Sequence, residues 1–255
     1  MGKVYASADW HGCGTIAKKV MEYLQPDDKL YFLGDAIDRG EDGIEILQML
    51  LRDPRVVFIR GNHEEMMRKR YRHELKFDER HTWDYNGNYY TEKAFDSLSA
   101  EEQEEILQFL DKSPIKWTYK SKKYTFCMTH SGYMPEFSPY YEYPDTFCLL
   151  WDRKHFYDDW KEEWDKIIIL HGHTPVQYLK FEYGYKGQTE DDSKEALEIK
   201  RQYMENGITS WKPEVLCYCD GHKYDLDMGT IKSKRIALLD LDTLKPIYFD
   251  EKEGE

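Results

Sequence analysis

Five short apolar runs punctuate an otherwise charged chain: Val4–Ala8, Leu30–Leu33, Val56–Ile59, Tyr124–Met128 and Ile167–Leu170. They have the length of strands, and their near-continuous apolarity marks strands buried on both faces. Between the early runs, apolar residues recur at helical spacing, first Ile16, Val20 and Leu24, then Ile44, Leu47 and Leu51. Ser99 and Glu102 form a capping-box pattern ahead of an apolar face made by Ile106, Leu107 and Leu110. Strands alternating with helices predict an α/β fold with βαβ units and at least one largely parallel sheet. The tail, Arg235–Leu241 then Pro246–Phe249, reads as two strands joined by a turn, which can belong to a second sheet. Phe77–Tyr90 and Tyr183–Asp227 lack strong periodicity, apart from a helix expected around Ser193–Glu205. With no linker in evidence, the expectation is one domain over residues 1–255 with insertions near 77–97 and 183–227, either solvated excursions or a substrate-contacting lid.

The apolar runs share one grammar at their ends. Val4–Ala8 leads into Asp9-Trp10-His11, and Leu30–Leu33 into Gly34-Asp35 with Asp38-Arg39-Gly40 just beyond. Val56–Ile59 leads into Arg60-Gly61-Asn62-His63-Glu64, Tyr124–Met128 into Thr129-His130, and Ile167–Leu170 into His171-Gly172-His173. Ligand sites in open α/β sheets lie beyond the carboxyl ends of strands. Each piece alone is an ordinary turn or a hydrogen-bonded structural histidine. Five of the nine histidines fall at these junctions, and that coincidence points to a metal cluster assembled from distant parts of the chain. Oxygen and nitrogen donors without converging thiolates suit Mn²⁺, Fe or Zn²⁺ rather than a structural cysteine–zinc site. Two ions need a shared ligand, and Asp35 lies between the two donor groups in chain order.

Composition narrows the classes. The 255 residues are 33% charged and 40% hydrophobic, with 21 Tyr, which fits a globular domain with a large core. A formal net charge of −13 argues against a nucleic-acid duplex or an anionic membrane as partner, though not against an anionic substrate if cations are bound. No apolar run approaches the ~18 residues of a membrane span. The opening MGKVYASADW lacks a secretory pattern, and the odd set Cys13, Cys127, Cys148, Cys217 and Cys219 suits reduced thiols, so a cytoplasmic location is expected. Cysteine-phosphatase chemistry is excluded, because the residues six after each cysteine are Lys19, Tyr133, Lys154, Lys223 and Asp225, never Arg. A P-loop is absent. Cys217-x-Cys219 near His222 is a weak zinc pattern, read here as packing or surface thiols.

DWH, GDAIDRG, RGNHE, THSG and HGHTP, in this order between Val4 and Thr174, resemble the motif series of the calcineurin-like metallophosphoesterases, within them the bacterial and phage-type phosphoprotein phosphatases. Softer echoes are Trp83 with Asn86-Gly87-Asn88 and Thr91, and Leu150-Trp151-Asp152-Arg153. THSG stands where HAG or HGG is commoner, and Asn88 where a second glycine is usual. The resemblance implies an αββα sandwich of two mixed sheets flanked by helices. It implies two divalent ions, Mn²⁺ first with Fe and Zn²⁺ as alternatives. Asp9, His11 and Asp35 would hold one ion, and Asp35, Asn62, His130 and His173 the other, with His171 supporting a ligand rather than binding. Arg39 and Arg153 would hold phosphate oxygens together with Asn62, and His63, oriented by Asp38, would be the general acid.

The implied chemistry is in-line attack on phosphorus by a hydroxide whose pKa the ion pair has lowered, with protonation of the leaving alkoxide by His63. The expected activity is serine/threonine protein phosphatase. The alternative is symmetrical cleavage of a dinucleoside tetraphosphate, whose enzymes tend to carry Asp where Glu64 stands. A non-catalytic scaffold is a third class, disfavoured because the ligands and the acid are all present. The substrate is then a phosphoprotein or a phosphorylated small molecule.

Overall fold

A computed structural model describes residues 2–132, 146–159, 164–206 and 212–251, the side chains of 202–206 excepted. Two five-stranded mixed sheets face each other. The first is built from β1 (Val4–Ser7), β2 (Lys29–Phe32), β3 (Val56–Phe58), β9 (Arg235–Asp240) and β10 (Lys245–Asp250), in the order β10-β9-β1-β2-β3. The second runs β4-β5-β6-β8-β7, from β4 (Lys116–Lys120), β5 (Thr125–Thr129), β6 (Ile167–His171), β7 (Leu216–Tyr218) and β8 (Lys223–Asp225). All five apolar runs are strands. β1, β2 and β3 pair in parallel, as do β5, β6 and β8, and the outer pairings are antiparallel.

Alternation along the strands explains the layering. Ala6, Ala8, Tyr31, Leu33 and Ile59 from the first sheet meet Phe126, Met128, Ile168 and Leu170 from the second in one inter-sheet core. The opposite face of the first sheet, with Tyr5, Leu30, Phe32 and Phe58, packs under helices α1 (Gly14–Tyr23), α2 (Gly43–Arg52) and α6 (Ala100–Lys112) through Ile16, Val20, Ile44, Leu47, Ile106 and Leu110. Ser99 caps α6 by accepting from Glu102 N, while Glu102 accepts from Ser99 N at 3.0 Å, as the sequence pattern requires.

Three expectations are corrected. The tail strands join the first sheet: β9 pairs antiparallel with β1 through Tyr5–Asp240 and Ala6–Leu239. Phe77–Tyr90 is helical, in α4 (Phe77–Tyr85) and the start of α5 (Tyr89–Asp96), and these helices pack through the buried Trp83, Thr91 and Phe95. The third correction concerns Tyr183–Asp227, which contains the expected helix, Glu190–Asn206, but also β7 and β8, so its C-terminal part belongs to the sheet framework. Residues 207–211 of that stretch lie outside the described residues.

Candidate metal and phosphate site

The strand ends deliver their polar residues to one rim. Asp9, His11, Asp35, Asp38, Arg39 and His173 all have positive φ, between 42° and 71°. Such backbone is uncommon for non-glycine residues and clusters where function over-determines the conformation. Two glycines are required by close approach. A Cβ on Gly172 would collide with the Asp9 carboxylate, and one on Gly61 with that of Asp35.

Asp35 is central. Its Oδ1 accepts from His63 N at 3.1 Å, while its Oδ2 faces three imidazoles, His130 Nε2 at 3.2 Å and His11 Nε2 and His63 Nε2 each at 3.7 Å. Burial works against this carboxylate, yet His130, His63 and His11 hold its pKa well below the usual range. Asn62, opening α3 (Asn62–Tyr71), turns its Oδ1 to His130 Nε2 at 2.7 Å and His173 Nδ1 at 3.0 Å. Asp9 accepts from His173 N at 3.1 and 3.2 Å. Two donor sets in which every ligand atom lies within 4.8 Å of the others result: His11, Asp35 and His63, and Asp35, His130 and His173.

These residues fit divalent cations on their own chemistry. His11 and His130 each use Nδ1 on a backbone carbonyl, Ile37 O at 2.9 Å and Leu33 O at 2.8 Å, which turns Nε2 toward the Asp35 carboxylate. There Asp35 raises the His130 pKa against its burial, and a bound ion would take the place of that proton. Burial, helped by neighbouring positive groups, pulls His11 and His173 well below the usual imidazole pKa, so both are held neutral, as ligation requires. Asp9 is pushed well above the carboxylate range by burial and then by Asp227 and Asp35, a repulsion that a cation would relieve. His173 Nε2 is a buried nitrogen without a hydrogen-bond partner.

Beside this pocket, His63 Nδ1 donates to Asp38 Oδ2 at 2.5 Å, and Arg39 Nη2 lies 3.3 Å from His63 Nε2. The helical pair α4–α5 fixes this unit. Trp83 Nε1 donates to Asp38 Oδ2 at 2.6 Å, Thr91 Oγ1 accepts from Asp38 N at 2.9 Å, and Gly87 O accepts from Arg39 N at 2.8 Å. The stretch without periodicity is therefore the brace of the His63–Asp38–Arg39 unit. Trp83→Phe removes the indole donor to Asp38 and leaves a small cavity. The lost hydrogen bond is expected to cost about 1–1.5 kcal/mol, roughly five- to tenfold in kcat, with the cavity showing separately as a lower melting temperature. An unchanged kcat on a poor-leaving-group substrate would show that the indole N–H contributes nothing.

The remaining residues place as follows. Arg153 Nε donates to Thr174 Oγ1 at 2.9 Å, and its guanidinium lies 5.3 Å from the Tyr183 ring centre. His171 points away from the pocket, with Nε2 2.9 Å from Tyr218 OH and its ring against His155. Glu64 touches no opening to solvent. It is buried and accepts from four backbone amides, those of Asp35, Ala36, Ile37 and Gly61. Cys219 is buried while Cys217 is exposed, and His222 Nδ1 lies on Ile167 O at 3.1 Å, so neither metal-capable set includes them. Sequence reasoning missed Asp225, Asp227 and Thr230. Thr230 Oγ1 donates to Asp9 O at 2.8 Å, and both aspartates are buried. The alternation Tyr224-Asp225-Leu226-Asp227 was the available signal for a strand running into the site.

The chain is similar to known proteins in sequence and in fold. The chain is 29% identical over 154 residues to serine/threonine-protein phosphatase 2 of Salmonella typhimurium, covering 59% of this chain and 67% of that one. It is 26% identical over 136 residues to the symmetrical bis(5'-nucleosyl)-tetraphosphatase of Wigglesworthia glossinidia brevipalpis, covering 52% of this chain and 45% of that one. In fold it is similar to a protein described as a diadenosine tetraphosphatase, at a TM-score of 0.60 and 13% identity over 99% of this chain and 95% of that one. The calcineurin-like phosphoesterase profile matches residues 2–207, and the chain belongs to that family, whose members are hydrolases of phosphoric esters.

Proposed function

We propose that this chain is a cation-dependent phosphomonoesterase acting on phosphoserine and phosphothreonine in proteins. The observation that carries the reading is the convergence of His11, Asp35, His130 and His173, with Asp9 3.8 Å from His11 and Asn62 against His130 and His173, beside the His63–Asp38–Arg39 unit. Asp9, His11 and Asp35 would hold one ion and Asp35, Asn62, His130 and His173 the other, with Mn²⁺ favoured over Fe and Zn²⁺. When bound, such a pair lowers the pKa of water toward neutrality and offsets the charge of phosphate oxygens. The chain's own groups do the rest. Arg39 and Arg153 present planar guanidinium forks to phosphate oxygens, and the Asn62 amide helps orient the group. His63 donates a proton to the departing alkoxide, while Asp38 fixes its tautomer and stabilises the imidazolium.

The phosphoprotein reading is supported by the Salmonella relative and by the α4–α5 turn. Tyr85 and Tyr89 flank that turn next to Arg39, are 92% and 64% exposed, and offer flat contacts to residues around a phosphorylated side chain. Hydrolysis of a dinucleoside tetraphosphate is the second reading, favoured by the Wigglesworthia relative. Glu64 bears on this choice only through the backbone it holds, since its oxygens face amides. Among the described residues no helix is long and apolar enough to cross a membrane. None of the five cysteines is in a disulfide, which is compatible with the reducing, cytoplasmic setting proposed for the chain.

Chelator-stripped protein is expected to be inactive on p-nitrophenyl phosphate and to recover with Mn²⁺. Activity that survives stripping, with no ion left by elemental analysis, would end the reading. Substrate class is tested by kcat/KM for phosphopeptides against dinucleoside polyphosphates on the same reconstituted protein. A ~100-fold preference, about 2.7 kcal/mol, decides between them.

A further inference from the structure

Asp227 stands in the loop after β8 and is 1% exposed. Its Oδ1 accepts from Gly229 N at 2.8 Å, its own N donates to Asp225 Oδ1 at 3.0 Å, and its carbonyl accepts from Val176 N at 3.0 Å. These bonds account for the turn, and an asparagine would make all of them. The second carboxylate oxygen, Oδ2, is buried and has no hydrogen-bond partner. An uncompensated buried oxygen is costly, so its retention asks for a ligand. The loop is held against the cation pocket by the Thr230 hydroxyl on Asp9 O at 2.8 Å. Asp227 is also the strongest charge acting on the Asp9 carboxyl, and it senses Arg39, Asp35 and His130 in turn. Asp225 carries a second unpartnered oxygen, but it acts on Asp9 more weakly than Asp227 or Asp35 does, and its Oδ1 lies 3.9 Å from His171 Nδ1.

We propose that Asp227 is a further carboxylate of the cation site, presenting Oδ2 to the divalent ion that Asp9, His11 and Asp35 would hold, directly or through one water. The inference rests on the two-cation reading above. A hard ion such as Mn²⁺ takes oxygen donors readily, and Asp9, His11 and Asp35 leave coordination positions open. The position also explains why the chain tolerates Asp9, Asp35 and Asp227 together without a lysine or arginine bonded to any of them among the described residues.

The test is calorimetric titration of stripped protein with Mn²⁺, wild type against Asp227→Asn. The wild type is expected to bind two ions, and D227N to weaken one of them by ~10-fold or more. D227N with both affinities within twofold of wild type overturns the proposal while leaving the two-cation reading intact. A wild type that binds no ion overturns that reading itself. Should D227N fail to fold, a crystal structure of Mn²⁺-loaded wild type decides. Asp227 Oδ2 beyond about 5 Å from both ions, further than one bridging water reaches, also overturns it.

Discussion

Asp35→Asn is expected to lower kcat/KM by at least ~1,000-fold, about 4 kcal/mol, and to strip both cations from the protein. The asparagine keeps Oδ1, so the bond from His63 N at 3.1 Å survives and α3 stays seated. It replaces Oδ2, around which His11, His63 and His130 gather within 3.7 Å, by an amide that cannot bridge two positive ions. The loss is therefore electrostatic rather than structural, and circular dichroism should be unchanged. The deciding measurement is elemental analysis of the purified variant. Two ions per chain would mean that Asp35 does not join them.

The second large effect depends on the substrate. His63→Asn should cost ~10²–10³-fold in kcat on a phosphoserine peptide, whose alkoxide must be protonated to leave, and less than ~10-fold on p-nitrophenyl phosphate, whose phenolate leaves unaided. The backbone of His63 still donates to Asp35, so the proposed ligands Asp9, His11, Asp35, Asn62, His130 and His173 stay in place although the His63 imidazole beside His11 and Asp35 is lost. Asp38→Asn should show the same substrate dependence in weaker form, because the bond to His63 Nδ1 at 2.5 Å orients the ring without touching phosphate. Equal losses on both substrates would reassign His63 to phosphate binding, alongside Arg39 at 3.3 Å.

Much of the site was legible because strand ends carry it. The buried strands are apolar runs, and the residue types just past them are chemically distinctive, so the junctions at 9–11, 35–39, 62–64, 130 and 171–173 stood out as candidates. The choice of Asp9, His11, Asp35, Asn62, His130 and His173 among them as proposed ligands came from the family resemblance. What stayed hidden was hidden for physical reasons. Sheet membership of the tail was unreadable because β9 is buried along its whole length and carries no mark of its neighbour. β7 and β8 are three residues each, and β8 is Lys223-Tyr224-Asp225, a composition that looks solvated although all three are buried. Lys223 is buried because its ammonium donates to His155 O, a partner 68 positions away. The helices α4 and α5 lacked an apolar stripe because they bury only Trp83, Thr91 and Phe95, one of which is polar. Trp83 and Thr91 were noticed by resemblance alone, and their bonds to Asp38 supply the reason for them.

Asp9, His11, Asp35 and Asn62 follow strands of one sheet, and His130 and His173 follow strands of the other. Ion occupancy is consequently a ruler for the seam between the layers. A substitution far from the rim that lets the layers slip by a fraction of an ångström, for example at Leu170 or Met128, would be felt as lost cation before it was felt as lost helix. Conversely, the ion proposed for Asp35, Asn62, His130 and His173 would be a clasp across that seam, while the one proposed for Asp9, His11 and Asp35 would sit on one sheet alone. Melting temperature should therefore climb with the logarithm of the free cation concentration chiefly through the former.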